Sequence, residues 1–541
     1  MSRPTLPDES PFDHFLAQLW AGAGGDPAWL ANVQATGDER MPSAFLATDF
    51  AAAAVGTAGL ALAEWRAARS GESVDTASAV SVDRRLASLW FTVSVDPIGW
   101  DLPPSWDAVA GDYRTKDGWI RLHTNAAHHR AAAMAVLGVT DTAGDPADRA
   151  RVAAAVATWS ADDLESAVVE RGGCAATMRS VAQWAVHPQG QSVANEPLLH
   201  WHARAQQDAA TQNALPQAAV QRDPVRHDAA GLSAVQTGAS RSLPDLNPAR
   251  PLAGIRVLDL TRVLAGPIAT RFLAAYGAEV LRLDPPWWKE PTHEPDVTPG
   301  KRCARLDLSN EAGRKHFEAL LSQADVLVHG YRSDALSHLG LDADARARLC
   351  PGLIDVSLDA YGWTGPWQHR RGFDSLVQMS SGIAHAGMIA AGAEKPVPLP
   401  MQALDHGTGY LMAAAVLRGL TTRWHTGHGA EIHASLARTA KLLVDATVSN
   451  SASDKASDEA SATTSVTRSA TTLTTTSVKV IAPAAPTAFS ERSVADLDPA
   501  HIDTVWGPLQ RLRAPVVVDG APMAWDTPPV PLGSSDPAWR E

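Results

Sequence analysis

The chain has 541 residues, 45% of them apolar and 19% charged, enough for about two to four packed domains. Its net charge of −13 excludes the basic footprint of a general nucleic-acid binder. Three distant cysteines, Cys174, Cys303 and Cys350, show neither zinc spacing nor a disulfide framework, which fits a reducing, cytoplasmic setting without a metal site.

Along the chain, Met1–Ser10 has no apolar h-region, so no secretory leader is read. The apolar run from Phe50 to Ala63 falls short of the roughly 18 residues a membrane span needs and reads as a buried helix. No membrane contact is expected. Residues 1–202 read as globular. Residues 203–249, rich in Gln, Ala, Asp and Pro, read as a linker. Residues 250–448 read as ordered α/β. Residues 449–476 are Ser/Thr/Ala-rich and read as a second, unpacked linker. The tail, 477–541, regains Trp, Leu and Val from about residue 500 and is expected to dock on the 250–448 unit.

Within 250–448, strands are predicted at Gly254–Leu260, Glu279–Leu283, Asp325–Val328 and Leu353–Ser357. Helices are predicted at Pro267–Tyr276 and Glu311–Gln323. This alternation predicts an open, doubly wound parallel sheet, which binds ligands at the carboxyl ends of its strands. There is also an internal echo. Asp49 opens an apolar helix closing at Gly71, and Asp405 opens another closing at Gly427, both with a spacing of 22. Each reads as an acid at a helix start with a glycine C-cap.

Four features carry chemistry. The Asp259–Pro267 segment turns from strand to helix and aims backbone N–H groups at the crevice, without the GxGxxG order of a dinucleotide site. Lys301, Arg302 and Arg305 concentrate positive charge that could pair with phosphates. Gly330 and Tyr331 follow a strand directly, where an aromatic ring could stack on a base. Asp405, at a helix N-terminus, is expected to stay ionised, by about 0.3–1 kcal/mol. It could serve as a nucleophile on an activated acyl group or simply as an N-cap.

Taken together, Pro251 to about Ala446 resembles the family III CoA-transferases, the CaiB/BaiF family. The matching strings include Pro251–Pro267, Gly277–Pro286, Gly300–Arg302, Ala324–Val328, Tyr361–Pro366 and Gly372–Asp374, with Asp405 and Thr426–Gly427. The resemblance implies a Rossmann-like CoA-binding domain with a smaller α+β domain. It implies that Asp405 attacks an acyl-CoA thioester to form a mixed anhydride. CoA thiolate then gives an aspartyl-CoA thioester, and an acceptor carboxylic acid takes the CoA. By the same resemblance Arg262, Val263, Leu264, Lys301, Arg302, Gly330 and Tyr331 hold CoA, with the phosphates near the cations and adenine near Tyr331. CoA thioester would be a substrate rather than a permanently bound cofactor, and a homodimer, interlocked in the family's manner, would be expected.

The family also contains acyl-CoA racemases, which carry a proton-transferring His where this chain has Phe373. Phenylalanine carries no proton, which disfavours that alternative. A non-catalytic CoA-binding fusion is the other. Residues 41–200 resemble the rear of a partial second copy and the family's small domain, with Asp49 at the nucleophile's place. Lacking a CoA-binding front, Asp49 reads as a relic N-cap. Two incomplete halves would complement each other within or between chains. His123, His128 and His129 show no ligand spacing and read as surface or core residues.

Overall fold

The computed structural model describes residues 10–142, 147–204, 243–332, 334–447 and 488–540. The linker expected at 449–476 and most of that expected at 203–249 lie outside the described residues. The strands are β1 (Val33–Thr36), β2 (Val80–Asp83), β3 (Val95–Pro97), β4 (Gly111–Arg114), β5 (Trp119–Leu122), β6 (Ala175–Thr177), β7 (His200–Ala203), β8 (Arg256–Leu260), β9 (Glu279–Asp284), β10 (Lys301–Arg305), β11 (Val326–His329), β12 (Ile354–Asp359), β13 (Ala430–Ser435), β14 (Leu509–Arg511) and β15 (Val516–Val518).

The largest sheet runs β10-β9-β8-β11-β12-β13-β7. The first six strands pair in parallel, and β7 closes the edge antiparallel to β13. Counted from β8, the parallel strands take the order 3-2-1-4-5-6, that of a doubly wound sheet, with the reversal between β8 and β11. The apolar runs Val257-Leu258 and Val326–Val328 are buried on both faces, as an interior parallel strand requires.

Five helices position the site: α1 (Ala47–Ser70), α2 (Ala127–Leu137), α3 (Ala265–Ala275), α4 (Asp374–Ser380) and α5 (Ala403–Thr426). The internal echo survives as geometry. α1 and α5 both have 24 residues, with Asp49 and Asp405 each third in its helix. Leu46 (φ −75°, ψ 48°) and Gln402 (φ −78°, ψ 60°) enter alike, and Gly71 (φ 77°) and Gly427 (φ 75°) close both in the left-handed region. α5 packs closely on two neighbours at glycines. A Cβ on Gly407 would lie 2.4 Å from the Phe50 ring of α1, and one on Gly409 would lie 2.4 Å from the Ala265 carbonyl oxygen of α3. Phe50, Phe272, Tyr410 and Leu411 bury the seam.

The halves exchange edges. β7, from the N-terminal half, joins the large sheet beside β13. β15, from the tail, joins the parallel β1–β2 pair beside β2. β14 pairs with β3. The tail therefore docks on the N-terminal half as well as on the 250–448 unit, where the Trp539 indole donates to the Leu320 carbonyl. Strands of the two halves thus pair within one chain. No helix among the described residues is long and apolar enough to cross a membrane.

Candidate functional site

The strand order reverses between β8 and β11, the place where a doubly wound sheet forms its ligand crevice, and the segments leaving those two strands meet there. After β8 come Thr261, Arg262, Val263 and Leu264, and α3 starts at Ala265. After β11 come Gly330 and Tyr331. Five of the expected ligand residues are therefore brought together: Arg262, Val263, Leu264, Gly330 and Tyr331. Arg262 donates to the Tyr331 hydroxyl at 3.3 Å, and its guanidinium lies 5.4 Å from that ring and 4.7 Å from the Trp288 ring. Trp287, 64% exposed, flanks the same guanidinium. Open space adjoins Gly330, where an added Cβ would meet nothing within 4 Å.

Val263 is the non-glycine residue with positive φ (66°) among the described residues. A β-branched side chain is strained there, by about 1–3 kcal/mol. Its N–H donates to Glu290 Oε2 at 2.9 Å, and the same oxygen accepts the Trp288 indole N–H at 2.9 Å. Glu290 is in turn paired with buried Arg282. The strained loop and the tryptophan beside Arg262 thus share one anchor, which sequence reasoning missed.

Lys301 and Arg302 are elsewhere. Both open β10, at the amino end of the sheet rather than at the crevice. Lys301 Nζ donates to Asp259 Oδ2 at 3.0 Å, the Pro267 carbonyl at 2.9 Å and Thr270 Oγ1 at 2.6 Å. Those bonds fill all three ammonium donors, so the expected phosphate role is corrected to a structural one. Burial opposes the charge on Asp259, but Lys301, Arg282 and two threonine hydroxyls outweigh it and hold that carboxyl below its usual range. Arg302 donates to the tail carbonyls of Ala538 and Asp536. The run Lys-Arg-Cys-Ala-Arg reads as a basic patch because three of its five residues are cations.

Asp405 lies in the first turn of α5, one turn before the Gly409 that abuts Ala265 at the crevice. It is 9% exposed. Beneath it, Asp374 at the start of α4 caps α5 from outside: its Oδ2 accepts the N–H groups of Leu404 at 2.9 Å and Asp405 at 3.0 Å. Gln378 donates to its other oxygen. The expectation that the helix start simply keeps Asp405 ionised is corrected. Burial, and then the neighbouring Asp374, push its carboxyl well above the usual range. Asp374 itself is raised to about 6 by burial, against the N–H donors and Arg121 that favour its charge. Two carboxyls with unequal donor sets form a dyad in which Asp374 ionises first.

Asp49 has the opposite surroundings. It is fully buried and paired with Arg40 at 2.9 Å and Arg84 at 3.1 Å. The N-cap position belongs to Leu46, so Asp49 is a neutralised ion-pair partner rather than a cap. The N-terminal half contributes to the Asp405 site in another way. His123 stacks on Phe373 with ring centroids 3.7 Å apart, and His129 meets the same ring edge-on at 5.9 Å. The Gly372-Phe373-Asp374 motif was the sequence signal for this wall, but the histidines carried none.

Residues 252–486, under half of the chain, match the family model described as CoA-transferase family III. Among curated relatives, the chain is similar to succinyl-CoA:glutarate CoA-transferase of Mus musculus. The two are 33% identical over 222 residues, covering 38% of this chain and 50% of that one. An acyl-CoA transferase of Gibberella moniliformis is 27% identical over 351 residues, covering 62% and 56%. A solved CAIB/BAIF family protein from Brucella suis is 25% identical, with a TM-score of 0.34, covering 38% and 58%. The chain spans about half the length of the curated relatives it matches.

Proposed function

Residues 252–486 match CoA-transferase family III, and from that premise we propose that the chain moves CoA from an acyl-CoA thioester to a carboxylic acid, with Asp405 as nucleophile. The observation that carries this reading is the dyad. Asp405 sits in the first turn of the long helix beside the switch-point crevice, with a carboxyl rather than a cation as its neighbour. A buried carboxylate without counter-cation is poorly stabilised, and forming an acyl bond removes its charge. Asp49, saturated by two arginines, has no such incentive.

In this mechanism the Asp405 carboxylate attacks the thioester carbon. The C–S bond breaks, CoA leaves as thiolate, and a mixed anhydride remains. Thiolate attack on the aspartyl carbonyl expels the first acid and leaves an aspartyl-CoA thioester. The acceptor carboxylate attacks that thioester, and the resulting anhydride is opened by thiolate to give the new acyl-CoA and free Asp405. The Rossmann-like sheet would hold CoA along Arg262, Val263, Leu264, Gly330 and Tyr331, with Trp287 and Trp288 extending the aromatic surface. The relatives' names, among them succinyl-CoA:glutarate CoA-transferase, support transfer between acids.

Incubation with acyl-CoA and hydroxylamine is the test. The wild type should lose activity and carry a hydroxamate at Asp405 by peptide mass spectrometry, and the Asp405→Asn variant should not. A wild type that binds CoA yet forms no adduct would remove Asp405 from the nucleophile's role.

A further inference from the structure

The amide of Gln378 lies between the dyad and the segment that leads into α5, and the transfer steps leave it unused. Gln378 stands one turn after Asp374 on α4 and is 2% exposed. Both ends of its amide are engaged. Its Oε1 accepts the Leu399 N–H at 2.8 Å, and its Nε2 donates to Asp374 Oδ1. Leu399 belongs to the run Pro396-Val397-Pro398-Leu399-Pro400, in which the prolines leave two backbone donors. Val397 gives its N–H to the Ala384 carbonyl at 3.1 Å, and Leu399 gives the other to Gln378.

The two contacts of the amide are not interchangeable. A backbone N–H can only donate, so the amide atom that meets Leu399 must be the oxygen. The NH2 group then has to face Asp374. This makes Asp374 the acceptor of three N–H groups, from Gln378, Leu404 and Asp405. Hydrogen bonds of this kind favour the ionised carboxyl. Asp405 has no such set: burial and the neighbouring Asp374 act on its carboxyl, and both oppose its charge. Other titratable groups close by leave the asymmetry in place. Arg121 of β5 acts on Asp374 while paired with Asp112 at 2.8 Å. Burial above all holds the imidazoles of His123 and His406 down at about 3 and lowers that of His385, so these rings add no charge at pH 7.

We propose that Gln378 is a positioning residue that sets which acid of the dyad carries the charge: by donating to Asp374 it settles the negative charge there and keeps the proton on Asp405 in the resting protein. The pH at which the nucleophile ionises is thereby fixed by a side chain bonded to its partner acid. The proposal rests on the transferase reading and names the determinant of its pH response.

Carbon-13 NMR of the full chain labelled at aspartyl Cγ gives the two titration curves, with the signals assigned by their loss in Asp374→Asn and in Asp405→Asn. In the wild type Asp374 should ionise at the lower pH. Gln378→Met keeps the length of the side chain without its amide, and should narrow the gap between the two curves by about one to two pH units, the worth of one hydrogen bond to a charged group. The rising limb of kcat/KM for acyl-CoA should move to lower pH with it, whereas a purely structural role would lower kcat and leave the limb in place. A wild type in which Asp405 ionises first would overturn the proposal, whether or not Gln378→Met folds. So would a folded Gln378→Met chain with the gap unchanged. The NMR titrations need no turnover. If the curves respond as expected but hydroxylamine traps no Asp405 adduct, the role of Gln378 stands and the transferase reading falls.

Discussion

At Asp405 and Asp374, two carboxyls that the sequence separates by thirty-one positions meet without a cation between them. Only the ionised form of Asp405 attacks, so kcat/KM for acyl-CoA should rise with pH through an apparent pKa above the ordinary value of about 3.9. Asp374→Asn removes a like charge, lowers the Asp405 pKa, and should move that rising limb to lower pH; a profile that stays put would mean the two do not interact. Stability has its own sign. The folded-state pKa values are raised, so the unfolded chain ionises near pH 4 while the folded chain resists, and stability is lost as pH climbs from about 4 through the folded value, about 6 for Asp374. Asp405→Asn should therefore melt a few degrees above wild type at pH 7 and match it below about pH 4, as followed by calorimetry. Replacement by Ala should cut turnover by several orders of magnitude, where a merely capping acid would cost little. Val263 is a second residue with a readable consequence. Val263→Gly should relieve the left-handed backbone and stabilise by roughly 1 kcal/mol, net of the entropy glycine adds, while loosening the loop that Glu290 anchors and raising KM for acyl-CoA.

Among the elements, α5 depends on how near its neighbours can come. Gly409→Ala sets a Cβ against the Ala265 carbonyl oxygen, an atom of the backbone that cannot swing aside, and should cost about 1–3 kcal/mol in urea unfolding. Gly330→Ala meets nothing and should stay within about 0.5 kcal/mol of wild type, so any activity it loses reports on ligand contact. The sequence made some elements plain and hid others. The strands at β8, β9, β11 and β12 were legible because β-branched residues run between helices of regular period. The 22-residue echo was legible because it counts from the third position of a helix to its left-handed cap in both copies. β10 was hidden because Lys301 looks like a surface charge until Asp259 and Thr270 close around it. β7, His-Trp-His-Ala, was hidden because its partner β13 lies more than two hundred positions away. The wall of His123 and His129 was unreadable for the same reason: Phe373 meets those rings only after the halves have packed.

For the whole molecule, the exchange of β7 and β15 means that each half supplies an edge the other needs. Buried bonds cross the same seam. Arg370 pairs with Glu165 at 2.9 Å, the Gln402 N–H donates to the Phe91 carbonyl, and Arg271 donates to the Ser94 hydroxyl in the interior. Chains 1–204 and 243–541 produced together should copurify and bind CoA, whereas 243–541 alone should aggregate or fail to elute as a folded species in size-exclusion chromatography. Independent folding of 243–541 would show the seam to be dispensable.

The pairing of Val516 with Val82 closes a loop of 434 positions, counted from 516 − 82. A ribosome adding about 5–20 residues per second needs roughly 20–90 s to travel that far. Throughout that interval one flank of Val80–Asp83 is bare backbone, able to recruit a strand from any neighbouring nascent chain. The crossing that seals the finished molecule thus makes its birth the stage at which it is most open to aggregation, and the yield of active protein should rise with chaperone supply and fall as elongation slows, more than it follows the stability of the final fold.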